Sequence, residues 1–207
     1  MIEQQGLFDD EVDDTPVLLP MQDAEVSFYP HFLSPERADF YLERLLASLA
    51  WQQEEIFLYG RKVKIPRLQA WYGEKDATYQ YSGLTMIPKT WTPELSALKE
   101  RCENTCGQHF NSVLANLYRD GQDSMGSHAD NEAELGDRPC IASLSLGQSR
   151  NFDFRHNTTG QKLRLPLNHG SLLIMQGSTQ DHWQHAIAKN KKTMGKRINL
   201  TFRKIMI

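Results

Sequence analysis

The apolar residues change their period partway along the chain. Phe40, Leu42, Leu45, Leu46 and Leu49 recur at the spacing of one helix face. Ahead of them Ser34-Pro35-Glu36 supplies a cap, a proline for the first helical position and an acid for the first turn. Thr92-Pro93-Glu94 repeats that start chemistry before Leu95, Leu98 and Cys102, and Gly107 offers a stop. Two helices are therefore predicted, with strands and loops over residues 56–91. From residue 110 the period becomes two, which predicts strands at 112–119, 140–147, 150–155, 161–167, 171–176 and 197–204. No helical period interrupts them, so an antiparallel sandwich or barrel follows, and a jelly roll is the commonest closed form for about eight strands.

Composition narrows the class. The 207 residues are 40% hydrophobic and 24% charged, enough apolar material for one packed domain. No stretch reaches the 18 apolar residues of a membrane helix, and no membrane partner is expected. Cys102, Cys106 and Cys140 are too few for a disulfide framework and read as buried thiols of a cytoplasmic protein. Residues 1–25 hold eight of the 26 acids and no Lys or Arg, so they read as a disordered acidic tail. That leaves 23 basic against 18 acidic residues over 26–207, a positive body that permits a polyanionic partner.

The candidate chemistry sits on the strands. In Arg197-Ile-Asn199-Leu-Thr201-Phe-Arg203 the alternation puts four polar side chains on one face and three apolar ones on the other. Two arrangements satisfy it: an ordinary surface strand, or a polar face turned into a barrel lumen, where two arginines would require an anion. His128-Ala-Asp130 aims an imidazole and a carboxylate the same way on an extended segment, although about 0.4 such matches arise from composition alone. A later imidazole would complete a facial triad of two His and one carboxylate, which leaves three positions open on iron. His182 and His185 compete for that place. On a strand their odd separation would aim them to opposite faces, so only one can join.

Asn116-Leu-Tyr118, His128-Ala-Asp130-Asn-Glu132, Ser171-Leu-Leu-Ile-Met175, Trp183-Gln-His185 and Arg197-Ile-Asn-Leu-Thr-Phe-Arg203 together resemble the AlkB-type dioxygenases that dealkylate DNA and RNA. The likeness spans roughly residues 56–207. Ile65-Pro-Arg67, the segment Ala77 to Thr85, and Asn151-Phe-Asp-Phe-Arg155-His156 bring it nearest the branch acting on duplex DNA. The resemblance implies a mostly β fold with flanking helices: a double-stranded β-helix (jelly-roll) core at 111–207 and an N-terminal α/β extension at 26–110 carrying a nucleotide-recognition lid. It also implies that decarboxylation of 2-oxoglutarate by iron(II) and O₂ is coupled to hydroxylation of an N-alkyl group on a base, with release of formaldehyde. The alternative on the same fold is an oxygenase of proteins or small molecules.

Carried over by position, His128, Asp130 and His185 are the iron ligands. Arg197 grips the distal carboxylate of 2-oxoglutarate and Arg203 lies near its metal-bound end, while Asn116, Tyr118, Asn199 and Thr201 line the pocket. Glu132 faces the target base, Tyr79, Tyr81 and Ser82 form a lid, and Tyr59 stands where that branch carries a Phe wedge. Arg61, Lys62, Lys64 and Arg67, with Lys189, Lys191, Lys192 and Lys196, are candidate phosphate contacts. Gln4-Gln-Gly-Leu7-Phe8 resembles the Gln-x-x-Leu-Phe peptides by which bacterial repair and replication proteins dock on the sliding clamp. A monomer acting in the cytoplasm or at the nucleoid is expected.

Overall fold

The computed structural model describes residues 15–58, 61–77, 79–81, 84–192 and 194–206, without the side chains of 56–58, 79–81 and 84–86. Both predicted helices form, at α1 (Pro35–Ser48) and α2 (Pro93–Cys106). Ser34 Oγ accepts from Arg37 N at 3.4 Å and Thr92 Oγ1 from Leu95 N at 3.3 Å, so each cap satisfies one otherwise idle amide. Gly107 ends α2 in the left-handed region at φ 67°, where a Cβ would be strained.

The strands build two principal antiparallel sheets. The larger has the order β1 (Val17–Leu18), β2 (Glu25–Tyr29), β13 (Ser171–Gln176), β10 (Ile141–Gly147), β15 (Arg197–Arg203), β8 (Ser112–Tyr118), β5 (Leu68–Gly73). The smaller has the order β12 (Lys162–Leu167), β11 (Arg150–His156), β14 (Trp183–Ile187), β9 (Met125–His128). Two hairpins complete the strands: β3 (Glu55–Leu58) with β4 (Arg61–Lys64), and β6 (Tyr79–Tyr81) with β7 (Leu84–Met86).

Apolar side chains separate into two cores. One lies between the larger sheet and the helices, where Leu45 and Leu98 meet Val113, Leu144, Ile198, Leu200 and Phe202. The other fills the space between the sheets with Val26, Leu114, Phe152, Phe154, Leu173 and Trp183. A sheet covered on both faces explains why every residue of β15 is buried. The surface-strand alternative is thereby excluded, since Ile198, Leu200 and Phe202 face the helices and the polar residues face the lumen.

Three expectations need correction. Residues 15–25 belong to the fold: β1 pairs with β2, Met21 is buried, and Trp183 Nε1 donates to Gln22 O at 2.8 Å. The boundary at 110 does not divide the architecture, because β2 and β5 are members of the larger sheet. Of the cysteines only Cys102 is buried, Cys106 and Cys140 being partly exposed. Gln4–Phe8, Tyr59 and Ser82 lie outside the described residues, and Tyr79 and Tyr81 are described only as backbone of β6.

Candidate iron and 2-oxoglutarate site

Antiparallel pairing of β9 with β14 sets His128 directly opposite His185, their ring centroids 4.4 Å apart. Asp130 follows β9 by two residues, with Oδ1 at 3.9 Å from His128 Nε2 and Oδ2 at 3.7 Å from His185 Nε2. The three ligand atoms lie within 4.8 Å of one another. His128 Nδ1 stands 2.9 Å from Gly126 O, a contact that requires N–H at Nδ1 and leaves the Nε2 lone pair for a metal. Burial, aided by the adjacent His128, pushes the His185 imidazole down to about 3, so it is neutral and able to coordinate.

Asp130 is held ionised. Burial alone would raise its carboxyl, but the charge and hydrogen bond of the Arg203 guanidinium keep it below the usual carboxylate range. Arg203 Nη2 donates to Oδ1 at 2.5 Å, and Gln180 Oε1 accepts from the Asp130 amide at 2.9 Å. Phe152 stacks on His185 with centroids 4.9 Å apart and planes at 22°. Two imidazoles and one carboxylate converging from a packed frame suit a divalent iron.

A second set of possible ligands among the described residues, Asp23, His156 and His182, does not suit one. His156 Nδ1 accepts from the amides of Thr158 and Thr159, each at 3.1 Å, which puts the proton on Nε2. That nitrogen faces Asp23 Oδ2 at 3.4 Å as a donor and has no lone pair for a metal. His182 ends the one-turn helix α3 (Thr179–His182), and its ring stacks on His156. The strand-parity argument therefore does not apply to it. His182→Ala should keep turnover within about three-fold of the parent, as measured by succinate formation. A loss comparable to that of His185→Ala would put the third ligand at 182.

The lumen beside the three ligands is lined by Asn116, Tyr118, Asn199, Thr201 and Arg203, as expected. Ser143 joins them from β10, and Met125, Phe152, Met175 and Ile187 add apolar walls that the sequence reading did not single out. The Ser143/Ser145 alternation inside an otherwise apolar strand was the available signal. Asn199 Nδ2 donates to Ser143 Oγ at 2.8 Å and its Oδ1 accepts from Thr201 Oγ1 at 3.1 Å, which orients the polar wall. Arg197 lies behind Tyr118, its guanidinium carbon 5.1 Å from the ring centroid, and Nη2 donates to Ser145 Oγ at 2.9 Å. Its Nε and Nη1 have no partner among the described residues. Burial pulls Arg197 down to about 10. A cation so placed has two donors ready for a carboxylate.

Arg67 is a correction. It is 2% exposed, with Nε donating to Asn116 Oδ1 at 2.8 Å and Nη1 to Ser124 O at 3.2 Å, so it braces the wall and presents no surface to a phosphate or base. Arg61, Lys62, Lys64, Lys189, Lys191, Lys192 and Lys196 are exposed. Two residues past Asp130, Glu132 has Oε2 buried with no hydrogen-bond partner among the described residues, and it does not line the lumen.

Residues 25–203 match the family model described as the 2OG-Fe(II) oxygenase superfamily. The chain belongs to that superfamily. Within it the oxygenase is of the AlkB type. It is 40% identical over 215 residues to "Alpha-ketoglutarate-dependent dioxygenase alkB homolog 3" of Rattus norvegicus, covering 99% of this chain and 70% of that one. It is 44% identical over 174 residues to "DNA oxidative demethylase ALKBH2" of Homo sapiens, covering 80% and 67%. The solved structure titled "The structure of OsALKBH1" shares the fold with TM-score 0.62 at 17% identity, covering 86% of this chain and 97% of that one. Iron(II), 2-oxoglutarate and O₂ are accordingly the oxygenase's metal and co-substrates.

Proposed function

We propose that the oxygenase removes alkyl groups from ring nitrogens of DNA bases, with RNA as a further substrate, by hydroxylating the carbon attached to nitrogen. The N–C hemiaminal then releases formaldehyde and the free base. The observation that carries the chemistry is the convergence of His128, Asp130 and His185 at the wall of a polar lumen backed by Arg197. Bound iron and 2-oxoglutarate supply the oxidising power. The chain's residues do the rest: the triad presents three ligands, Arg203 keeps Asp130 ionised, and Phe152 and Met175 exclude water from one side of the lumen.

The choice of substrate is supported by relatives whose names describe DNA oxidative demethylation. It is supported also by exposed basic residues on β4 and after β14, suited to contact phosphates. Formaldehyde release from matched single- and double-stranded oligonucleotides carrying 1-methyladenine, 3-methylcytosine or an etheno adduct tests the reading. Succinate formation without release from any of them would move the substrate to protein or a small molecule. Tyr59 is assigned as a wedge that fills the gap left by an extruded base. Tyr59→Ala should lose about ten-fold more activity on a duplex lesion than on the same lesion in a single strand, and equal losses would end that assignment.

The same reading places residues 4–8 on the sliding clamp as a linear motif of a monomeric enzyme working at the chromosome. A peptide of residues 1–12 should bind the clamp in roughly the micromolar range, and Leu7→Ala with Phe8→Ala should eliminate that binding while sparing catalysis on free oligonucleotides. Absence of clamp binding by the full chain would refute it.

A further inference from the structure

Arg150 opens β11, where the sequence shows only one more strand cation. It is 4% exposed, and its guanidinium donates to three backbone carbonyls with the Asp120 and Asp123 carboxylates nearby. Nη1 donates to Asp120 O at 3.1 Å; Nη2 donates to Asp123 O at 3.0 Å and to Ala188 O at 2.7 Å. Its central carbon lies over the Tyr118 ring, 5.7 Å from the centroid of the ring that Arg197 also covers. A buried cation held in this way is costly to keep, and only the planar fork of arginine reaches three acceptors at once.

The acceptors belong to two loops. Asp120 and Asp123 sit between β8 and β9, and Ala188 follows β14, so one side chain ties together the end of β8, the start of β9 and the end of β14, the strands that carry Tyr118, His128 and His185. The first loop is closed on itself by Arg119, whose Nε and Nη2 donate to the two Asp123 oxygens at 2.8 and 2.9 Å. The loops also interlock, because Asn190 N donates to Gly121 O at 2.7 Å and a Cβ on Gly121 would fall 2.4 Å from Asn190 O. Arg150 thus stands where the two loops interlock, over the same Tyr118 ring that the co-substrate arginine covers.

We propose that Arg150 is a positioning residue for 2-oxoglutarate: without touching the co-substrate, it fixes Tyr118 and the two loops so that Arg197 keeps its free donors aimed for the distal carboxylate. The inference rests on the assignment of Arg197 and Tyr118 to the co-substrate pocket. The triad has its own supports in Gly126, Gln180 and Arg203, none of which bonds to Arg150. Metal affinity should therefore be insensitive to Arg150, whereas co-substrate affinity should depend on it.

The test is calorimetric titration of the full chain with Mn(II), then of the Mn(II)-loaded protein with 2-oxoglutarate, beside steady-state kinetics. Arg150→Gln should weaken 2-oxoglutarate binding about ten-fold and raise its KM alike, with kcat at saturation and Mn(II) affinity each within about two-fold of the parent. Arg150→Lys keeps the charge but cannot span the carbonyls, so it should recover less than half of the loss on a logarithmic scale; it also serves if the glutamine variant does not fold. Combined with Tyr118→Leu, Arg150→Gln should cost markedly less than in the parent, because both act through one ring. Full rescue by lysine, additive losses with Tyr118→Leu, or a fall in kcat or Mn(II) affinity with unchanged 2-oxoglutarate binding would each overturn the proposal. Arg197→Lys, titrated in parallel, reports the pocket assignment separately: if it leaves 2-oxoglutarate binding unchanged, the assignment fails independently of Arg150.

Discussion

Asp130→Ala should abolish turnover and lower the melting temperature of the metal-free protein by about 10 °C, whereas His128→Ala should abolish turnover with a shift of only a few degrees. Both variants lose a ligand, and the oxygenase has no fourth group in place to substitute for it among the described residues. The difference lies in what each leaves behind. Arg203 is 3% exposed and donates to Asp130 Oδ1, so deleting the carboxylate removes the charged acceptor of a buried guanidinium beside the lumen, at a cost of about 3–5 kcal/mol. His128 is partly exposed and contacts a backbone carbonyl that water can take over.

The pH dependence carries a definite sign. The folded-state carboxyl of Asp130 titrates below its ordinary value, so its contribution is present at neutral pH and is lost as pH falls through the ordinary value towards the lower folded one. The gap in stability between the parent and Asp130→Ala should therefore narrow below about pH 4. Scanning calorimetry with chelator present separates this from stabilisation by metal. Equal melting temperatures for Asp130→Ala and His128→Ala would mean that the Arg203 pair contributes nothing net.

Arg197→Lys is expected to raise the KM for 2-oxoglutarate at least about ten-fold while kcat at saturation changes much less. Arg197 is buried, its Nη2 donates to Ser145, and Nε and Nη1 have no partner among the described residues. Lysine offers a single compact charge that cannot donate in parallel to two oxygens and would have to leave Ser145 or the co-substrate less well served. The kinetic split separates grip from chemistry, since a group that only binds the remote carboxylate acts in ground and transition states alike. An unchanged KM with lowered kcat would assign Arg197 to the reacting end instead.

The two helices, six of the strands and the shared direction of His128 and Asp130 were legible in the chain because each rests on local spacing. Caps lie three residues from the amides they serve, strand alternation repeats every two residues, and His128 and Asp130 share a direction at that same period. Residues 15–24 misled because they follow the acid cluster Asp9 to Asp14 and show no sustained period of their own, while Met21 and the Gln22 carbonyl find their partners in the distant second core.

Sequence by itself determined which side chains on β15 share a face, but both faces are buried, so period alone could not say which was inside the barrel. Tertiary structure decided that by laying α1 and α2 against Ile198, Leu200 and Phe202. It likewise chose His185 over His182, by placing one on β14 opposite His128 and the other on a helical turn against His156, whose available nitrogen is already protonated. It turned Arg67 from a surface cation into a brace and gave Gln180 and Arg150 their partners. Those contacts span 27 to 50 residues of chain, and a side-chain hydrogen bond at such separation leaves no periodic trace for a sequence to display.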